Sequence, residues 1–235
     1  MALLSPEHIA AIAGTVLAAL LLVVAARRLD DEAAAKLARA LAILILTGFV
    51  VEHAAYLALG RWTVRVNLPL QLSDAVTLVA IAALWTSRAG LLSELVYFWA
   101  LSASLQAVLT PDLTDTFPHV LYFTFVVVHA GAIAAACLLV FGLRRLPRRW
   151  AVWRVCAVTV AFAALAALGC LVTGGNYMFL RRKPAGGSIL DPFGPWPWYI
   201  LGAAALGLAL LLVLEAIARV VARADPSRRV AEGRR

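Results

Sequence analysis

The chain alternates between apolar stretches of about twenty residues and short polar segments. An α-helix needs about 20 apolar residues to cross a bilayer core about 30 Å thick. The pattern therefore predicts an all-α polytopic membrane protein, a bundle of seven transmembrane helices over residues 8–26, 36–59, 68–86, 90–109, 119–143, 151–173 and 197–221. These helices form a single domain over residues 1–223. A basic, polar tail follows at 224–235, with a composition typical of disorder.

Composition agrees with this pattern. The 235 residues are 63% hydrophobic and 14% charged, whereas a soluble domain carries about 25% charged residues. The formal net charge of +8 does not indicate nucleic acid, because the basic residues lie between and after the apolar segments, where they meet lipid headgroups. The three cysteines, Cys137, Cys156 and Cys170, fall inside apolar segments and are interpreted as packing residues.

The distribution of basic residues predicts the orientation. Sixteen of the 21 lysines and arginines lie on one side of the seven helices and five on the other. The positive-inside rule then places the C-terminus in the cytoplasm and the N-terminus outside, in a bacterial cytoplasmic membrane. No basic residue precedes Arg27, so no cleavable signal peptide is expected.

Polar side chains inside the predicted helices collect in the outer half of the bundle, apart from Ser93 and Glu94 at the inner end of the fourth helix. An ionisable group in a transmembrane helix costs about 2.5–3.5 kcal/mol at the centre and usually faces the protein interior or a water-filled cavity. A cavity open to the outer leaflet is therefore predicted. Its candidate residues are Glu52, His53, Gln71, Ser73, Asp74, Gln106, His119, Tyr122, His129, Asn176 and Tyr177.

Structural explanations exist for several of these residues. Asp74 fits a helix N-terminus, where a carboxylate is stabilised by the helix dipole. Ser73 is consistent with a packing role, because most serines in membrane helices hydrogen-bond to backbone carbonyls of their own helix. The Glu52-His53 pair lies near a helix end and has room to extend toward water. His129 is different, since at about 1.5 Å per residue it lies about 15 Å below His119, near the middle of the membrane.

The remaining polar residues have similar explanations. Gln106 fits an interhelical hydrogen bond. Asn176 and Tyr177, at the end of the sixth helix, fit a helix C-cap and an interfacial tyrosine.

Three functional classes remain open from these residues. An intramembrane enzyme needs a nucleophile and a base, a transporter needs a site near the membrane midplane, and a structural protein needs neither. The sequence contains no HExxH, GxSxG or P-loop motif, so neither a metal nor a cofactor is expected. The last helix has no lysine, which argues against a rhodopsin.

Five stretches together resemble one family. They are NLPLQLSDA at 67–75, LTPDL at 109–113, FPHVLYFTFVVVHAG at 117–131, GGNYMFLRRKP at 174–184 and GPWPWY at 194–199. In this order and spacing, over about residues 40–210, they resemble the YwaF-like bacterial integral membrane proteins, which are related to vertebrate transmembrane protein 164. The resemblance implies a compact seven-helix bundle. It also implies phospholipid acyl transfer by a cysteine near the start of the third helix and a histidine deeper in the bundle.

Ser73 occupies the position at which the resemblance places the cysteine, and His129 matches the histidine. A thiol is partly ionised near neutral pH, whereas a serine hydroxyl needs a base to remove its proton. The substitution leaves two hypotheses. Either Ser73 and His129 form an acyl-transferring or ester-hydrolysing pair, or the chain binds or transports a lipid or another small molecule without turnover.

Partner groups stay open at this point. Asp74, Glu52, His53 or Asn176 are candidates to orient His129, and Gln71, Gln106 or Asn176 to donate to a developing oxyanion. The basic run Arg181, Arg182 and Lys183 is expected to contact the phosphates of membrane phospholipids.

Overall fold

The structure is a computed structural model that describes residues 1, 3–86, 90–111, 113–184 and 188–224. Within these residues the chain is all helical, as predicted, and folds into a bundle of seven helices. We number them α1 (Pro6–Arg28), α2 (Asp31–Ala58), α3 (Leu72–Trp85), α4 (Leu91–Leu109), α5 (Val120–Gly142), α6 (Ala151–Thr173) and α7 (Trp198–Ala224). Short 3-10 turns at Tyr177–Phe179 and Asp191–Phe193 precede α7. Of the tail predicted at 224–235, Ala224 is the last residue of α7, and 225–235 lie outside the described residues.

Six of these helices are long and apolar enough to cross a membrane, and α3 is shorter. We call the end of the bundle that holds 59–71, 113–119, 174–184 and 188–197 the outer end and the opposite end the inner end. These names follow the predicted orientation, which stays a prediction. The π-helical segments Ala100–Ser104 in α4 and Leu138–Gly142 in α5 continue their helices without a break.

The third helix begins later than predicted, at Leu72 rather than at residue 68. Pro69 has no N–H for a helical hydrogen bond and disfavours helical geometry at Leu68. The Leu68 amide instead donates to the Tyr177 hydroxyl at 3.1 Å. The 14 residues of α3 span about 21 Å, so the segment before α3 lies among the helices at the outer end.

The core is organised around α5, in which 72% of the most apolar window is buried, whereas the corresponding values are 17% for α6 and 6% for α7. Helix α5 packs against α1, α2, α3 and α4. Glycines bring α2 and α5 close together, since a Cβ on Gly48 would lie 2.7 Å from Val127 and one on Gly131 would lie 2.7 Å from Ile45. The other two helices therefore lie at the periphery.

At the inner end, Arg145 closes α3. Its Nη1 donates to the carbonyls of Ala83 at 3.1 Å and Thr86 at 2.7 Å. A helix leaves its last carbonyls without intrahelical partners, and a cation there is favoured by the dipole. This contact joins the inner end of α3 to the segment that follows α5.

Candidate functional site

Ser73 lies in the first turn of α3, on the stripe that faces the protein interior. Further along that stripe, Thr77, Ala80 and Leu84 are buried almost completely, at the i+4, i+7 and i+11 positions that share a helix face. Thr77 Oγ1 donates to the Ser73 carbonyl at 2.8 Å. The Ser73 side chain is partly buried, and no group in the described part of the chain hydrogen-bonds to its hydroxyl. Ser73 thus presents a free hydroxyl on an inward face.

His129 lies in the middle of α5 and is 9% exposed. Its Nδ1 is 2.9 Å from the Phe125 carbonyl oxygen, and the two rings contact each other with centroids 4.3 Å apart. Because a carbonyl only accepts, Nδ1 carries the proton and Nε2 of the neutral ring keeps a lone pair. Among the described residues no group bonds to Nε2. His129 therefore has the tautomer of a general base.

The group that orients His129 is thus a backbone carbonyl. The sequence left this role open to Asp74, Glu52, His53 or Asn176, and none of the four hydrogen-bonds to the His129 ring. The contact that orients the His129 ring in the structure is therefore the Phe125 carbonyl of its own helix.

Ser73 and His129 lie on neighbouring helices, because α3 and α5 pack against each other. No hydrogen bond joins the Ser73 hydroxyl to His129.

A group of ionisable residues lies beside the start of α3. The carboxyls of Glu52 and Asp74 are within electrostatic range of each other, and Asp74 is within range of His53. His53 sits between two backbone carbonyls, with Nδ1 3.0 Å from Phe49 O and Nε2 3.2 Å from Asn67 O. The structure therefore brings Glu52, His53 and Asp74 together. None of these three residues hydrogen-bonds to His129.

The loop after α6 holds the segment before α3 in place. The Tyr177 hydroxyl donates to the Val64 carbonyl at 2.7 Å and accepts from the Leu68 amide. Gln71 Oε1 accepts from the Met178 amide at 2.7 Å. Because the side-chain oxygen of Gln71 accepts this hydrogen bond, the N–H donors of the same side-chain amide point away from the Met178 amide. Tyr177 is fully buried, so it has a clear structural role.

Asn176 folds the basic loop and does not cap α6. The C-cap is Gly174, whose φ of 73° is left-handed and whose amide donates to Cys170 O at 3.0 Å. Asn176 Oδ1 accepts from the amides of Arg181 at 3.0 Å and Arg182 at 3.1 Å, and Nδ2 donates to Arg182 O at 2.8 Å. These bonds bring both arginines back toward the end of α6.

The result is a small basic pocket at the outer end. It has a volume of about 230 Å³ and is lined by Gly174, Gly175, Asn176, Arg181 and Arg182. Lys183 does not line this pocket. Its Nζ donates to Asp191 O at 3.1 Å and lies 5.7 Å from the centre of a tyrosine ring at the start of α7.

Gln106, His119 and Tyr122 serve the ends of helices. Gln106 Nε2 donates to Thr110 Oγ1 at 2.5 Å, so the hydrogen bond lies at the end of α4 and is not the interhelical one expected. His119 is the N-cap of α5, and its Nδ1 accepts from the Leu121 amide at 3.2 Å. The Tyr122 hydroxyl donates to Glu7 O at 2.9 Å and ties α5 to α1.

Two buried polar sites were missed from the sequence. His8 is 1% exposed, with Nδ1 accepting from the Leu4 amide at 2.9 Å and Nε2 donating to Val108 O at 2.8 Å. Glu94, set aside as an exception in the pattern, is 2% exposed and binds Arg148 and Arg154. The only sign of these sites in the sequence was an ionisable residue inside a predicted helix. Val108, which binds His8, and Arg148 and Arg154, which bind Glu94, lie more than 50 residues away along the chain.

No group of three or more His, Cys, Asp and Glu residues in the described segments is arranged to hold a metal ion. The three cysteines are free.

Comparison with known proteins supports the resemblance seen in the sequence. No curated protein and no solved structure gives a significant match. The sequence model of the TMEM164 family matches residues 3–215, which is most of the chain. The chain therefore belongs to the TMEM164 family of membrane proteins.

Proposed function

We propose that this chain is a lipid-modifying acyltransferase or ester hydrolase of the bacterial cytoplasmic membrane, with Ser73 as nucleophile and His129 as general base. One observation carries the proposal. The His129 tautomer leaves Nε2 with a free lone pair, and the helix that packs against α5 presents the Ser73 hydroxyl on an inward face. A serine needs such a base to act as a nucleophile.

In the proposed reaction, Ser73 Oγ forms a bond to the acyl carbon of a lipid ester while His129 Nε2 takes the hydroxyl proton. The tetrahedral intermediate then loses the alcohol of the ester, to which His129 returns the proton. A second alcohol, or water, attacks the acyl-enzyme by the same route. The Phe125 carbonyl holds the ring in place throughout.

Gln71 is the best candidate to stabilise the oxyanion. Its oxygen is held by the Met178 amide, so its N–H donors stay oriented, and a preorganised donor is worth about 3–4 kcal/mol at a developing oxyanion. The pocket formed by Arg181 and Arg182 would receive the lipid phosphate, because the arginine fork matches phosphate geometry. Substrates would then enter from the outer end.

A fluorophosphonate probe tests the nucleophile in the purified chain. Wild type should be labelled, and Ser73→Ala should lose labelling. His129→Gln should slow labelling at least about 100-fold, the usual contribution of a general base. Ser102→Ala is the matched control, because Ser102 Oγ is engaged with Phe98 O at 2.7 Å and its loss should leave labelling intact. Equal labelling of wild type and Ser73→Ala would sink the proposal.

A second function is favoured by a different observation. The Ser73 hydroxyl is not bonded to His129, although such contacts often close only with substrate present. If Ser73 and His129 stay apart, the chain is a lipid-binding or lipid-transporting protein that uses the outer cavity predicted from the sequence. Purified protein would then retain phospholipid in both wild type and His129→Gln, and neither would release fatty acid or acylated product. Products formed by wild type and absent in the variant would exclude this second function.

A further inference from the structure

A larger pocket lies at the inner end, far from Ser73. It opens between the segment before α6 and the last turns of α7 and has a volume of about 380 Å³, within the range of about 300–1,000 Å³ typical of ligand sites. The charged residues that line it are four arginines, Arg148, Arg149, Arg219 and Arg223, and one glutamate, Glu215. We call it the inner arginine pocket.

Among the described residues, Glu94 and Glu215 are the carboxylates that pair with the arginines here, and they do not balance the charge of Arg148, Arg149 and Arg219. Glu215 Oε1 accepts from Arg219 Nη2 at 2.7 Å, and the Arg219 side chain is still 61% exposed. Arg148 binds Glu94, but 55% of its side chain is exposed, and Arg154 shares that carboxylate. The inner arginine pocket therefore keeps an excess of guanidinium groups, which bind phosphate oxygens through two parallel hydrogen bonds.

The surroundings of the pocket favour a lipid over a soluble anion. Helices α6 and α7 are the least buried of the six long helices described, so their apolar faces are available to acyl chains. Leu212 lies one turn before Glu215 on the face of α7 that lines the pocket, and it is 47% exposed. Trp150 and Trp153 are both more than half exposed beside the pocket, as is usual at a membrane interface.

We propose that the inner arginine pocket binds the phosphate of an anionic glycerophospholipid whose acyl chains lie along α6 and α7. This site is separate from the proposed catalytic pair. Measured from the inner end of α3, Ser73 lies about 18 Å away. Loss of lipid binding here would leave the acyl-transfer proposal untouched, and the reverse also holds.

The test is native mass spectrometry of the full chain in detergent. Phosphatidylglycerol is titrated against phosphatidylcholine with the same acyl chains, and inorganic phosphate is added as the soluble competitor. Wild type should bind phosphatidylglycerol more tightly than phosphatidylcholine. Equal affinity for both lipids, or tighter binding of inorganic phosphate than of phosphatidylglycerol, would overturn the proposal.

Two variants with equal changes in net charge locate the site. Arg149→Gln/Arg219→Gln should weaken phosphatidylglycerol binding about 30-fold, from about fivefold for each interfacial arginine. Arg28→Gln/Arg39→Gln removes two exposed arginines of α1 and α2 outside the pocket, and should change the affinity less than about twofold. Equal losses in the two double variants would show only a general effect of charge and would overturn the proposed site.

Glu215→Gln provides a further test that does not depend on the loss of an arginine. Glu215 is the only carboxylate among the described residues that line the pocket, and removing its charge should raise the affinity for phosphatidylglycerol about fivefold. An unchanged or weaker affinity would contradict the proposal.

Discussion

Glu94→Gln is expected to destabilise the chain more than any other loss of a single charge in the described part of the bundle. Glu94 is 2% exposed and its carboxylate accepts five hydrogen bonds. They come from the Arg148 amide at 3.0 Å, Arg148 Nε at 2.9 Å and Nη2 at 3.3 Å, and from Arg154 Nε at 3.0 Å and Nη2 at 2.8 Å. The substitution keeps the volume of the side chain and removes its charge.

The cost follows from the burial of the three side chains. Removing one partner of a fully buried ion pair costs about 3–5 kcal/mol. The side chains of Arg148 and Arg154 are 55% and 35% exposed, so water and lipid phosphates can partly replace the carboxylate. We therefore expect a loss of about 2–3 kcal/mol in the free energy of unfolding. For a chain of this length that corresponds to a decrease in Tm of about 5–10 °C.

Thermal unfolding in detergent micelles measures this decrease. Glu32→Gln is the matched control, because Glu32 pairs with Lys36 at i,i+4 on the surface of α2, where the two side chains are 80% and 71% exposed, and such pairs contribute only about 0.3–0.5 kcal/mol. Its Tm should fall by less than about 2 °C. Equal decreases in the two variants, or no decrease for Glu94→Gln, would refute the view that this cluster fastens the segment before α6 to α4.

Two further predictions concern the packing of α5 and the outer loops. Gly131→Ala should lower Tm by about 2–10 °C, because the new Cβ would lie 2.7 Å from Ile45 and overpacking costs about 1–3 kcal/mol. Gly14→Ala, with no atom within 4 Å of its Cβ, should leave Tm unchanged or raise it, and an equal decrease in both would contradict the packing argument. The Arg61 guanidinium, bonded to both oxygens of Asp115 at 2.9 and 3.0 Å, holds the pKa of Asp115 below its usual value. The stability that Asp115 adds should therefore be complete above about pH 4 and be lost as the pH falls through the lowered pKa. The difference in Tm between wild type and Asp115→Asn should shrink below pH 4, and a constant difference down to strongly acidic pH would contradict this assignment.

The positions of the seven helices could be predicted from the sequence alone. Their apolar runs have the length that a bilayer requires, and a helix satisfies its backbone hydrogen bonds within its own segment. The family could also be identified, because the five stretches such as NLPLQLSDA are local and ordered. The start of α3 was wrong, since Pro69 and the hydrogen bond from Leu68 to Tyr177 move it to Leu72.

Only the tertiary structure decided how the polar residues are used. The sequence alone gives no basis for assigning the partners of Tyr177 or Glu94, because their hydrogen bonds join segments more than 50 residues apart. Nor does it show that the helix carrying Ser73 packs against the helix carrying His129. The length of the apolar runs is set by the thickness of the bilayer and can be read directly from the sequence. The register and the polar contacts between helices depend on three-dimensional packing, and these decide which candidates can meet.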